Sequence, residues 1–342
     1  MRHTHDRATF LAALGGAGAL AALPLSGGAQ SPASARRIDV HRHVSPPGYY
    51  DTIKAVYPKP FPDVLSSWTP ESCLADMDAC GIEMGMLSMP ARPGMYFGDL
   101  AAARKLCRSS NEYMADLRRK HPGRFGMFAA LPLPDIEGSV AELTYALDVL
   151  KAEGVGMWSS YGTKYLGDPS FAPIWTELDR RKAVVFTHPT DSACCVNPVP
   201  VMSEAIVEFA ADTTRTIGSL VFSGTSTRFS NIKFIFSHGG GSMPFVIDRF
   251  LSQEKNPKSA ALVPRGVVNE LKRFYYDTAF VSAPEPMAAL LKIIPPSHVV
   301  LGTDFPYRPG TATMNELAVS GVPAADLVAI GRQSAVGLLA RA

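Results

Sequence analysis

The sequence predicts a closed parallel (β/α)8 TIM barrel, on three observations. Eight short apolar runs recur along residues 36–342, with amphipathic segments between them. The runs are apolar at successive positions rather than alternating with polar ones, the pattern of parallel strands covered on both faces. No linker or repeat interrupts that stretch, whose length suits an undivided α/β barrel. Parallel neighbours need long crossovers, which the amphipathic segments supply. A doubly wound open sheet would show the same alternation, yet no Gly-x-Gly-x-x-Gly follows the first run.

Residues 1–35 stand apart. Arg2 and Arg7 precede an apolar Ala/Leu/Gly stretch from Phe10 to Leu25, and Ser31-Pro32-Ala33-Ser34-Ala35 follows. This is the layout of an export signal with an Ala-x-Ala cleavage site after Ala35, which implies a periplasmic protein. Arg7-Ala8-Thr9-Phe10-Leu11 resembles a twin-arginine signal that lacks its second arginine. A mis-assigned start, with a cytoplasmic product, is the other reading. The apolar run is short for a bilayer span, so no stable membrane insertion is expected. Residues 36–342 then form one domain.

Strand runs fall at 38–44, 84–89, 125–131, 155–159, 183–188, 232–238, 274–278 and 299–303. Helix signals lie between them. Thr69-Pro70-Glu71 opens one helix, residues 99–121 form a long one, residues 135–153 form another that ends at Gly154, and Asp168-Pro169 opens the next.

The first run, Arg37-Ile38-Asp39-Val40-His41-Arg42-His43-Val44, carries two imidazoles two residues apart. In a strand these share a side and can aim at one point. His188 ends the fifth run, His238 the sixth, and Asp304 follows the eighth. The carboxyl ends of barrel strands meet at one mouth, so the barrel brings these residues together. Gly239-Gly240-Gly241 would let the backbone after His238 pass close to a ligand.

The net charge of +2 and the absence of a polybasic run exclude a nucleic-acid footprint. The cysteines Cys73, Cys80, Cys107, Cys194 and Cys195 lack zinc-finger spacing and read as packing residues. Adjacent Cys194 and Cys195 are not expected to bridge each other. They follow His188 closely enough to line the mouth.

The order of these motifs resembles the amidohydrolase superfamily, and within it the aminocarboxymuconate-semialdehyde decarboxylase-like group called amidohydrolase family 2. The resemblance spans the whole stretch after residue 35. It runs through Ile38-Asp39-Val40-His41-Arg42-His43, Thr187-His188-Pro189-Thr190-Asp191, Ser237-His238-Gly239-Gly240-Gly241-Ser242-Met243-Pro244-Phe245 and Leu301-Gly302-Thr303-Asp304-Phe305-Pro306-Tyr307. It implies that His41, His43, His188 and Asp304 bind one divalent metal, Zn²⁺ or alternatively Mn²⁺, with a position open to water or substrate. It implies an acid/base role for His238, for which a fifth ligand or a packed core histidine are the other readings. It also implies a homodimer in which Arg249 reaches the partner's site to hold a substrate carboxylate. A surface arginine is the alternative there. Arg42 and Arg92 are further carboxylate candidates.

Thr190 stands where the muconate-semialdehyde enzymes carry tryptophan, and their arginine-bearing insertion after the first strand has no match. Residues 206–215, with Gly218 and Gly224, look more like 6-methylsalicylate decarboxylases. The expected activity is therefore non-oxidative decarboxylation of a hydroxylated aromatic or muconate-like acid. The metal would act as Lewis acid and Asp304 as proton donor to the ring carbon. A hydrolase of C–C, amide, ester or lactone bonds that activates water at the metal is the alternative, and a non-catalytic binding protein a third.

Overall fold

The computed structural model of the protein describes residues 36–56, 62–90, 99–190, 192–196 and 198–340. The expected leader at 1–35 and the candidate Arg92 fall outside the described residues.

Eight strands form the predicted barrel: β1 (Arg37–His43), β2 (Ile82–Ser88), β3 (Phe125–Ala130), β4 (Gly154–Trp158), β7 (Val184–His188), β8 (Lys233–Phe236), β9 (Tyr275–Asp277) and β10 (Val299–Val300). They are joined in that order, each parallel to the next. A small antiparallel hairpin, β5 (Ser160–Tyr161) and β6 (Lys164–Tyr165), sits above β4. The ring closes between first and last strands. Val40 N–H donates to the Leu301 carbonyl at 2.8 Å, Asp304 N–H to the His41 carbonyl at 2.9 Å, and His43 N–H to the Phe305 carbonyl at 2.7 Å. The chain thus stays bonded to β1 beyond the two regular residues of β10.

Strand alternation divides the apolar side chains into two layers. Ile38, Val40, Met86, Phe128, Phe186, Ile235 and Val300 fill the barrel interior. Intervening residues such as Met127, Val155, Val185 and Phe234 pack outward in the larger cluster that includes helical Trp175, Leu178 and Ile217. This two-sided burial explains why the strands read as continuous apolar runs.

Helix starts follow side-chain chemistry. Thr69 caps Pro70–Ala79 in a reciprocal pair with Ser72. Asp99 caps Leu100–Lys120, Asp135 caps Ile136–Asp148, and Ser203 caps Glu204–Phe222. Asp168-Pro169 opens a single 3₁₀ turn, Pro169–Phe171, that leads into the helix Ala172–Arg180. No helix among the described residues is long and apolar enough to cross a membrane.

Candidate metal centre at the barrel mouth

β1 delivers His41 and His43 from alternate positions, and the closing contact with the eighth strand sets Asp304 against them. His41 Nε2 and His43 Nε2 lie 3.3 Å apart. Asp304 Oδ1 is 3.0 Å from the first and 2.9 Å from the second. His188, at the end of β7, completes a buried set whose four donor atoms all lie within 4.8 Å of one another. A cation about 2.1 Å from each donor separates neighbouring donors by roughly 3.0–3.5 Å, which these spacings match.

Two of the rings have their tautomers fixed from behind. His41 Nδ1–H donates to Asp277 Oδ2 at 2.7 Å, and His188 Nδ1–H donates to the Pro189 carbonyl at 2.8 Å. Each ring thereby aims its Nε2 at the common point, the usual support for a metal-binding histidine. His188 Nε2 is buried without a hydrogen-bond partner among the described residues. Such an orphan costs free energy unless something fills the site. The donor set therefore fits one divalent cation.

The charges fit as well. Burial opposes protonation of His41, but the Asp304 and Asp277 carboxylates outweigh it and lift that imidazole to about 10. Burial pushes the His188, His43 and His238 imidazoles down. Burial also works against ionising Asp304, yet His41 and His43 hold its carboxyl well below the usual carboxylate range. In the metal-free chain a proton on His41 thus occupies the electrostatic place of a cation.

His238 stands beside this group but outside it. Its ring centroid is 5.2 Å from that of His41 and 5.3 Å from that of His188. Its Nε2 is buried and unpartnered. Its backbone N–H donates to Asp277 Oδ1 at 2.8 Å, so a single carboxylate positions both His41 and His238. Asp277 is the residue that the sequence reading missed. The available signal was an acidic side chain at the end of the seventh strand run, the position where the other strands carry their ligands.

Backbone strain collects here too. Among the described residues five non-glycines have positive φ, and His238 (54°), Asp304 (66°) and Phe280 (57°) lie in the loops that follow β8, β10 and β9. Gly302 is required by close approach. A Cβ there would meet Asp277 Cβ at 2.8 Å and His41 Cβ at 3.0 Å. The glycines after His238 serve packing rather than ligand approach. Gly241 has φ 67°, and a Cβ on it would stand 2.1 Å from the Ala210 carbonyl oxygen.

Arg42 does not reach the mouth, which corrects its assignment as a carboxylate holder. Strand alternation turns it away from His41 and His43. Its fully buried guanidinium pairs with Asp39 at 3.0 Å and Asp76 at 2.8 Å, and lies 4.4 Å from the Phe305 ring centroid. It fastens β1 to the helix Pro70–Ala79. Arg249, on the helix Ile247–Glu254, is exposed and has no hydrogen-bond or ion-pair partner among the described residues.

Cys194 and Cys195 are joined in a disulfide, contrary to the expectation that neighbours would not bridge. Cys194 Sγ lies 3.2 Å from Ser192 Oγ, and Cys195 Sγ lies 3.7 Å from an Arg215 nitrogen. Among the described residues, these polar contacts are with this loop and the helix Glu204–Phe222. Cys73, Cys80 and Cys107 are free and buried, as packing residues.

The sequence profile of the amidohydrolase family matches residues 38–333. The chain is 38% identical to a decarboxylase, YanB of Aspergillus niger, over 89% of this chain and 88% of that protein. It is 32% identical to the 6-methylsalicylic acid decarboxylase of Penicillium expansum, over 81% of this chain and 87% of that one. A crystal structure described as an amidohydrolase II protein is similar with a TM-score of 0.81 and 27% identity, covering 89% of this chain and 99% of its own.

Proposed function

Since the chain belongs to the amidohydrolase family, whose profile spans residues 38–333, we propose that it is a metal-dependent, non-oxidative decarboxylase of a small hydroxylated aromatic acid. One observation carries this reading. Among the described residues, one four-donor centre stands next to an imidazole, His238, whose buried Nε2 is outside that donor set and makes no hydrogen bond. That is a cation site with a separate proton-handling group.

His41, His43, His188 and Asp304 would hold one divalent ion. Three imidazoles and a carboxylate suit Zn²⁺, and Mn²⁺ is the competing occupant. Bound there, the ion supplies Lewis acidity and positive charge toward a substrate's phenolic and carboxylate oxygens. The protein's own groups manage the proton. Burial keeps His238 neutral at pH 7, so its Nε2 can take the phenolic proton or hydrogen-bond to charge developing on the ring oxygen. Asp304 enters ionised, and a proton taken up from water at the mouth would make it the donor to the ring carbon that bears the carboxylate. Breaking the C–C bond releases CO₂ and leaves hydrogen in its place.

Arg249 is proposed to act across a homodimer on a substrate carboxylate, in keeping with its exposure and its lack of partners among the described residues. Residues 1–35 are proposed to direct export to the periplasm.

Isotopes test the chemistry on protein loaded with Zn²⁺ or Mn²⁺. The expected product formed in D₂O carries one deuterium on the carbon that lost CO₂. Incorporation of ¹⁸O from H₂¹⁸O without CO₂ release would overturn the proposal in favour of hydrolysis.

A further inference from the structure

We infer that an apolar recess beside His188 selects rings bearing a hydrocarbon substituent over rings bearing a second hydroxyl. The inference rests on the decarboxylase reading and names the substrate class within it.

The recess is built by period-two geometry. Phe128 and Ala130 of β3, Gly156 and Trp158 of β4, and Phe186 and His188 of β7 are pairs two residues apart, and all six line one cavity. Its enclosed volume is about 20 Å³, on the scale of one water or methyl group, and His188 is among its walls. Its floor is the stacked pair Phe128 and Phe186, with ring centroids 5.3 Å apart and planes within 13°. Phe186 also carries the edge of His41, centroid to centroid 4.9 Å, and Trp158 packs against His188 at 5.1 Å. The cavity is therefore contiguous with the metal ligands.

The space exists because Ala130 and Gly156 are small where their neighbours are large. Besides His188, the wall's polar side-chain atoms are the Ser88 hydroxyl and the Trp158 indole nitrogen, and Ser88 Oγ lies 3.5 Å from the Arg42 carbonyl. A methyl or similar group entering over Gly156 meets aromatic carbon and leaves water. A hydroxyl placed there leaves water to face the aromatic carbons of Phe128 and Phe186, and unless it reaches the Ser88 oxygen it is buried unpaired and penalised.

Gly156 makes the inference testable. Its φ is not in the left-handed region, and an added Cβ would meet nothing nearer than Phe128 Cβ at 3.7 Å, an ordinary contact. Gly156→Ala is thus tolerated by the fold while it takes up recess volume.

The experiment measures kcat/KM by CO₂ release from 6-methylsalicylate, salicylate and 2,6-dihydroxybenzoate, using metal-loaded full chain, native and Gly156→Ala, with metal content determined for both. The expected result is a preference of about tenfold or more for 6-methylsalicylate over 2,6-dihydroxybenzoate, the scale on which one apolar group is discriminated. In Gly156→Ala the ratio of 6-methylsalicylate to salicylate should fall by a similar factor at unchanged metal content. Equal or better use of the dihydroxy acid, or a uniform loss on all three acids, overturns the inference. Calorimetric titration with 3-methylphenol and resorcinol reads the recess without turnover. If no acid loses CO₂ yet 3-methylphenol binds more tightly, the decarboxylase reading falls and the recess stands. Equal binding of the two phenols sinks the recess.

Discussion

At the scale of single residues, the centre is governed by what stands behind its ligands. Asp277 has no place among the four donors, yet its two oxygens receive His41 Nδ1–H and the His238 backbone N–H. Asp277→Asn keeps the shape while weakening its hold on the His41 proton, so metal affinity should drop by about 10- to 100-fold, the usual cost of losing such a supporting partner. Competition with a chelator would measure it. Removing a donor outright is more severe, and His41→Ala or His188→Ala should leave the purified protein without stoichiometric metal. His238→Ala should retain the metal and lose about a hundredfold or more in kcat, as expected for a missing acid/base. An emptied site in that variant would make His238 a ligand. The pH dependence of metal uptake follows from His41. Its folded, metal-free imidazole is raised to about 10 by Asp304 and Asp277 against burial, so below that pH a cation must displace a proton. Affinity should then rise by about tenfold per pH unit from neutrality toward that value and flatten above it, with about one proton released per ion bound. Titrations in weakly buffered solution at two pH values check both; an affinity independent of pH would contradict the balance of charges described here.

At the scale of elements, β1 does two jobs by alternation. Its odd-numbered histidines face the mouth, while Arg42 between them is buried against Asp39 and Asp76 and ties the strand to the helix Pro70–Ala79. Arg42→Met removes the cation and strands two carboxylates, so a loss on the order of 3–5 kcal/mol in unfolding free energy is expected in urea denaturation. A substrate-binding arginine would instead raise KM and leave the denaturation midpoint in place. The last strand is equally specialised. After Val300 the chain keeps its bonds to β1 but turns at Asp304 into left-handed backbone, and Gly302 leaves room for Asp277 beside it. Regular strand geometry is given up over the residues that must bring a carboxylate to two imidazoles.

At the scale of the whole molecule, the proposed homodimer would add a side chain of the second chain to each barrel mouth. Arg249 is exposed, and unpaired among the described residues, on the helix that follows the His238 loop. If two chains complete each other's sites, Arg249→Ala should raise KM for carboxylate substrates by about tenfold or more, the worth of one charge-assisted hydrogen-bonded contact, with metal content unchanged. Light scattering across a dilution series should show a dimer whose dissociation lowers activity in parallel. Unchanged kinetics in the variant would return Arg249 to the solvated surface.

What the sequence determined by itself was whatever has a short-range signature. Runs that are apolar on both faces announced eight covered strands, and the position of His41, His43, His188 and Asp304 at strand ends announced a shared centre, because a parallel barrel sends all those ends to one face. What only the tertiary structure decided depends on pairings between distant segments. Arg42 looked as available as its neighbours until Asp39 and Asp76 were seen to enclose it. Asp277 looked like an ordinary strand-end acid until it was found behind both His41 and His238. The bridge between Cys194 and Cys195 depends on the local backbone of their loop, and the recess over Gly156 on the absence of side chains from β3 and β4 at one level of the barrel. Periodicity says which way a side chain points; only the packed barrel says what it meets there.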